Sequence, residues 1–113
     1  MVESFRSFQV RDPFGEVWQV RFLWLQNAIS IRHSDSVDVK FELSDGGQRS
    51  EKVIALMHPE LLELSRKTGR PITDPWCSRL AAHHLQHMIE TGEDMEKTLV
   101  TARLEDLLAY CAA

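Results

Sequence analysis

The residues best suited to chemistry are His83, His84, His87 and Glu90, which lie within about two turns of a predicted helix. Positions i and i+4 stand about 6 Å apart along a helix axis, so His83 and His87 share one face. Zincin metalloproteases place two zinc ligands at this spacing. Glu90, about one turn beyond His87, can add an oxygen ligand. The pattern therefore predicts a zinc site, in a metal-dependent enzyme or a metal-binding protein.

The same residues also fit a plain structural role. In the metalloprotease motif a glutamate follows the first histidine and acts as general base, whereas here that position is His84. Cys77 lies about 10.5 Å of helix rise before His84, too far to share one ion through ligand bonds of about 2.3 Å. The alternative prediction is that His84 borders the core while His83 and His87 are solvated.

These histidines belong to the strongest helix signal of the chain, Thr73 to Gly92. Thr73 or Asp74 can cap the first N–H groups, Pro75 fits the first turn, and Gly92 can end the helix in a left-handed conformation. At about 100° per residue one apolar arc forms on this helix. Its members are Cys77, Ala81, Leu85, Met88 and Ile89.

The first half of the chain has the period-2 pattern of β-strands. Strands are predicted at 5–11, 16–25, 28–33, 37–43 and 51–57, and the even positions of the second place Trp18, Phe22 and Trp24 on one face. A Gln26-Asn27 turn would join the second and third of these strands. An Asp45-Gly46 turn would join the last two and set Glu42 opposite Arg49 and Lys40 opposite Glu51, avoiding a Glu42–Glu51 pair.

The second half has helical periodicity. A short helix should run from His58 to Lys67 and end at Gly69, and a last helix should begin near Thr101. Strands followed by helices predict a single α+β domain over residues 1–113. The architecture would be two layers, an antiparallel β-meander of four to five strands with three helices on one face. The helices should cover the face of the sheet that carries Trp18, Phe22 and Phe41.

Composition narrows the class of protein. With 43% apolar residues, 27% charged residues and a net charge of −4, the chain is globular and has no bulk attraction to phosphate or anionic lipid. The two cysteines form no close pair, which suits a reducing compartment. Residues 1–10 lack a signal-peptide pattern, and no apolar run reaches the ~18–20 residues that span a bilayer. A cytoplasmic protein without a membrane partner is expected.

The predicted strand Glu16–Leu25 also suggests a surface for binding. Its odd positions include Val17, Leu23 and Leu25, which a sheet covered on one side would leave exposed. Contiguous apolar patches of this kind usually mark a contact, which predicts a homodimer or a protein partner. A nucleic-acid-binding sheet is a third hypothesis, because strand aromatics can stack on bases, but the intervening residues are not basic.

Three functions are therefore expected, in order of preference. The first is a non-catalytic module that acts by self-association or partner binding and needs no cofactor. The second is a zinc-dependent function of His83, His87 and Glu90, and the third is nucleic-acid binding.

Overall fold

The computed structural model describes residues 6–28 and 35–112 of the chain. These form an α+β fold with a five-stranded sheet in the order β1-β2-β3-β4-β5. The strands are β1 (Ser7–Arg11), β2 (Val17–Ala28), β3 (Ser36–Ser44), β4 (Arg49–Met57) and β5 (Leu99–Ala102), and the helices are α1 (His58–Thr68), α2 (Asp74–Thr91) and α3 (Leu104–Ala112). The first four strands form an antiparallel meander, which confirms the predicted fold class.

Strand β5 was not expected. It pairs in parallel with β4, so that Thr101 is part of a strand and not the cap of the last helix. Val100 and Ala102 are buried while Leu99 and Thr101 are exposed, which is the period-2 pattern of a strand. Four residues are too few for this alternation to stand out in a sequence. The helix that was expected to begin near Thr101 begins at Leu104.

The predicted Gln26-Asn27 turn is wrong. Both residues continue β2, with Gln26 opposite Asp38 and Asn27 opposite Val37. Strand β2 thus pairs directly with β3. Residues of β3, and not residues 28–33, are the cross-strand partners of β2. Ala28 ends β2, and the rest of that predicted strand lies outside the described residues. A β-bulge between Phe22 and Trp24 shifts the register of this pair.

The bulge changes which side chains of β2 share a face. Before it, Phe22 lies opposite Phe41, and their rings meet edge-on with centroids 6.1 Å apart. After it, Trp24 lies opposite Lys40 and Leu25 opposite Val39. Since a bulge adds one residue to one strand only, the alternation is inverted beyond it. Trp24 therefore leaves the face that Phe22 occupies, contrary to the predicted pattern.

The turn between β3 and β4 is also displaced by one residue from the prediction. Asp45 donates its N–H to the carbonyl of Gln48 at 3.3 Å, so Gly46 and Gly47 form the turn. The Asp45 carboxylate accepts the N–H of Gly47 at 3.1 Å and of Gln48 at 2.8 Å. These local bonds, and a φ of +92° at Gly46 that glycine adopts without strain, favour this turn.

The shifted turn places Glu42 opposite Glu51, the pair that the predicted register avoided. Each carboxylate has a cation from a neighbouring position. Arg21 lies 3.3 Å from Glu42, and Lys40 lies 2.9 Å from Glu51. The like charges are therefore compensated, and the bonds of the Asp45 turn determine the register.

The limits of α1 and α2 agree with the prediction. The Thr73 side chain accepts the N–H of Trp76 at 3.3 Å, and Gly92 ends α2 with a φ of +76°. Gly69 ends α1 with a φ of +74°. Helices α1 and α2 pack on the sheet, and α3 packs on both of them. The five predicted members of the apolar arc of α2 are all buried.

All three helices lie on one side of the sheet, which we call the packed face. Its strand residues include Val20, Val39, Phe41, Leu43 and Ile54, which are buried; Trp18 and Phe22 pack against this core, as expected. We call the opposite side the helix-free face, because no described helix covers it. Following the strand pairing, it carries Arg21, Trp24, Lys40, Glu42, Glu51, Val53, Ala55 and Leu99.

Candidate functional site

The histidines of α2 differ in burial as predicted. His84 is buried at 5% exposure, whereas His83 and His87 are half-buried. Nδ1 of His84 lies 2.8 Å from the hydroxyl of Tyr110 on α3. The hydrogen bond ties the two helices together and satisfies a ring nitrogen that would otherwise be costly to bury.

Tyr110 is the centre of the histidine cluster. Its ring centroid lies 6.0 Å from those of His83 and His84 and 6.3 Å from that of His87. The His83 ring is stacked on it, with 22° between the planes. Tyr110 was not among the residues predicted from the sequence. Its position near the packed side of α3 could have been predicted, because Tyr110 lies three positions after Leu107, which is fully buried.

Burial favours the neutral forms of His83, His84 and Tyr110. Burial lowers the pKa of His84, and the carboxylate of Asp106 offsets part of the shift. Burial also lowers the pKa of His83, and the charge of Arg79 adds to this effect. The pKa of Tyr110 is raised, again mainly by burial. The bond between His84 and Tyr110 therefore joins a neutral imidazole to a neutral phenol at pH 7, which gives no activated nucleophile.

The geometry does not bring the three predicted zinc ligands together as a set. Glu90 is exposed, and Nε2 of His87 lies 3.8 Å from the carboxylate of Glu93. Among residues 6–28 and 35–112, no group of three or more His, Cys, Asp or Glu side chains is arranged to hold a metal ion. Zinc binding by His83, His87 and Glu90 stays a prediction.

Neither cysteine has the environment of a reactive thiol. Cys77 is buried, and this burial raises its pKa to about 11. Cys111 is partly buried and its pKa is also raised, mainly by burial, although the charge of Arg70 opposes the shift. Since the thiolate is the nucleophilic form, both groups are poor nucleophiles at neutral pH.

A cavity of about 170 Å³ opens beside His83 and Tyr110, between α2 and the connection from α1. Arg70 and Arg79 line it, and both also line an adjoining open cavity of about 380 Å³. We call the two cavities together the arginine cleft. Its other lining residues are mostly apolar or aromatic, such as Trp76, and include the polar side chains of Thr73 and His83. Among the described residues, no carboxylate lines either cavity.

The other side of the histidine cluster has a different character. A cavity of about 370 Å³ there is lined by His84 and His87 together with acidic and basic side chains. The carboxylates are Glu93, Asp94 and Asp106, and the cations are Lys97 and Arg103. Several of these charges already pair with one another, as Lys97 does with Asp94 at 3.2 Å and Arg103 with Asp106 at 3.8 Å. The cavity is therefore close to internally neutralised.

The three predicted interface residues do not share one face. Val17 is 39% exposed and lies opposite Arg11, on the helix-free side. Leu23 is the bulged residue, and Leu25 lies opposite Val39 and packs against the core. A homodimer stays a prediction, but a contact through the sheet would use a different set of residues.

No protein-family model matches this chain, and neither a curated protein nor a solved structure is significantly similar to it. In the described part of the chain, no helix is both long and apolar enough to cross a membrane.

Proposed function

We propose that this protein is a non-catalytic module that acts by self-association, with two copies packing through their helix-free faces. The supporting observation is a row of side chains across this face. Trp24, Lys40, Val53 and Leu99 lie side by side on four successive strands. Three of these side chains are large and apolar, and Leu99 is 59% exposed.

The apolar side chains are concentrated in this one row. Ala55, two positions beyond Val53 on β4, is only 6% exposed, and its cross-strand neighbours Asp38 and Thr101 are polar. Val53 and Trp24 are half-buried. Apolar side chains on the side of a sheet without helices are the kind of surface that usually marks a protein contact. This surface replaces the set of Val17, Leu23 and Leu25.

The charges on the same face suit a symmetric contact. Arg21 with Glu42 and Lys40 with Glu51 form two ion pairs beside the apolar row. A two-fold axis brings the same patch of both copies together, so that each cation can face a carboxylate of the other copy. An apolar centre with a charged border is the usual anatomy of such interfaces.

The size of the face is also adequate. Strands about 4.8 Å apart that rise about 3.4 Å per residue give this sheet a face of about 600 Å² in projection. A stable interface buries about 800 Å² of accessible surface on each partner. Two flat faces in contact therefore fall in the right range without rearrangement of the fold.

The chemistry of the described residues supports a non-catalytic role. His84 and Tyr110 bond to each other as neutral groups, and the pKa of the buried Cys77 thiol is raised. Neither arrangement lowers the pKa of a nucleophile or places a free base beside one, as covalent catalysis requires.

Sedimentation velocity of the wild type and of a Leu99→Glu variant tests the proposal. The wild type should be a dimer at micromolar concentration. The variant should be a monomer, because the new carboxylate on the edge strand β5 would be desolvated without a partner in the contact. Leu62→Glu is a matched control, since Leu62 is also 59% exposed but lies on α1, on the other side of the sheet.

The control variant should remain a dimer. A wild type that is monomeric at high micromolar concentration would refute the proposal. So would a Leu99→Glu variant that is folded by circular dichroism and still sediments as a dimer.

A further inference from the structure

We propose that the arginine cleft is a binding site for the oxyanion group of a small molecule, either a phosphate or a carboxylate. The proposal is independent of self-association, because the cleft lies in the helical layer and the helix-free face lies on the opposite side of the sheet.

Arg70 and Arg79 are brought together without a carboxylate partner. Arg21, Arg66 and Arg103 each have a carboxylate within 4 Å, whereas among the described residues Arg70 and Arg79 have none. Arg11 and Arg49 have none either, so what distinguishes Arg70 and Arg79 is their common position. They come from different elements, the connection after α1 and the middle of α2, and both line the same two cavities.

The arginine cleft is positive although the chain as a whole is acidic. The chain has 17 acidic and 13 basic residues, so a randomly placed cleft would more often be lined by acidic than by basic side chains. Asp74, in the first turn of α2, lines neither cavity. A positive cleft on a chain with a net charge of −4 is a specific local arrangement and does not reflect the overall composition.

The lining also suits an anion with an organic body. Two planar guanidinium groups can each donate two parallel N–H bonds to a phosphate or carboxylate. His83 lines the same cavity, and Trp76, Leu80 and Tyr110 supply apolar and aromatic surface beside the arginines. Arg70 and Arg79 are themselves exposed, so their attraction for an anion acts at a partly solvated surface.

The volume determines the size of the ligand. The inner cavity of about 170 Å³ is over ten times the ~10–15 Å³ that one water molecule needs, yet below the usual size of drug-binding pockets. An oxyanion group fits this cavity, and the adjoining open cavity leaves room for a small organic body.

The test is a titration followed by ¹⁵N–¹H correlation spectra, at constant ionic strength. Inorganic phosphate, phenyl phosphate and benzoate are the three probes, which separate the anion from its organic body and phosphate from carboxylate. Saturable shifts should be confined to residues 70–83 and 108–112. Arg70→Gln and Arg79→Gln should each raise the dissociation constant about tenfold, because each removes charged hydrogen bonds.

Arg66→Gln is the matched control. It removes the same charge from an exposed helix position, where Arg66 pairs with Glu63 at 2.6 Å, and should leave the dissociation constant unchanged. Thermal melts of all three variants verify that they fold. Failure of all three probes to saturate would refute the proposal, as would an equal loss of affinity in the control variant.

Discussion

The two faces of the sheet differ in composition and in how each accommodates an unusual group. The packed face is mainly apolar but carries Lys52, which lies opposite Phe41 and is 5% exposed. The helix-free face is mainly polar and charged but carries Trp24, Val53 and Leu99 in one row with Lys40. Each face thus carries side chains that are more typical of the opposite face.

Lys52 is tolerated because its ammonium group has fixed partners. Nζ donates to the carbonyl of Met95 at 2.7 Å and to that of Lys97 at 2.6 Å. Burial lowers the pKa of Lys52, and the carboxylate of Glu96 offsets part of the shift. The two bonds attach the connection after α2 to the sheet, immediately before β5. The buried ammonium group of Lys52 therefore helps to position β5, the strand that was not predicted from the sequence.

Trp24 is accommodated differently on the helix-free face. Nζ of Lys40 lies 5.6 Å from the centroid of the Trp24 ring, within the range of a cation–π contact, and 2.9 Å from Glu51. This contact orients the indole, and no described helix covers that side of the sheet. A buried charge with fixed partners is therefore compatible with a core, whereas Trp24 lies beside an exposed Leu99 in the row on which the proposed self-association depends.

The largest expected effect is a loss of packing on the packed face. Phe41 is fully buried, with edge-on rings of Phe8 and Phe22 around it. Phe41→Ala should lower the free energy of unfolding by about 3–5 kcal/mol, because it leaves a cavity. The measurement is a urea or guanidinium melt.

Glu51→Lys, on the helix-free face, is the comparison. The substitution removes the ion pair with Lys40 but allows a new one with Glu42, which lies opposite, on an exposed surface. The free energy of unfolding should therefore fall by no more than about 1 kcal/mol. Equal costs for the two substitutions would show that the faces are wrongly assigned.

An intermediate effect is expected at the bond between the helices. Burial lowers the pKa of His84 below its ordinary value of 6.5, so that as the pH falls the unfolded chain binds a proton before the folded protein does. The stability contributed by the neutral ring is complete above pH 6.5 and is lost as the pH falls towards the pKa of the folded state. Denaturant melts between pH 7.5 and 5 should show this loss.

His84→Leu should reduce the loss at low pH without abolishing it, because the pKa of His83 is lowered as well. Tyr110→Phe should cost about 1 kcal/mol at pH 7.5, since it removes the hydroxyl that bonds His84. An unchanged pH dependence in His84→Leu would contradict the assignment of the titrating group.

The sequence predicted those features that local chemistry determines. Thr73, Gly69 and Gly92 limit two helices through bonds and backbone angles within a few residues of each position, and the structure confirms all three. The burial of His84 follows from the periodicity of one helix. The Gly46-Gly47 turn is also local, but the predicted register ranked charge pairing above the bonds of Asp45.

The missed features depend on residues far apart in the chain. The bulge after Phe22 inverts a pattern that is regular in the sequence, and it follows from the pairing with β3. Strand β5 needs the edge of β4 to pair with, and Tyr110 meets the histidines only when α3 packs on α2. The arginine cleft likewise joins Arg70 to Arg79 across a helix connection. Periodicity within one element contains no information about such contacts.

The smallest expected effect tests the register between β3 and β4, which decides which charges meet on the helix-free face. Glu42 and Glu51 are directly opposite and should repel each other by less than about 1 kcal/mol, since both lie on a solvated face. A double-mutant cycle with Glu42→Gln and Glu51→Gln isolates this term. Removing either charge should make removal of the other less favourable, because the repulsion is already gone. A second cycle pairing Glu42→Gln with Arg49→Gln should give only a weak attraction, because Arg49 lies opposite Ser44, diagonally across from Glu42, and among the described residues the ion pair of Glu42 is with Arg21. A clear attraction between Glu42 and Arg49, with none of the repulsion between Glu42 and Glu51, would restore the Asp45-Gly46 turn and a different set of pairs on the helix-free face.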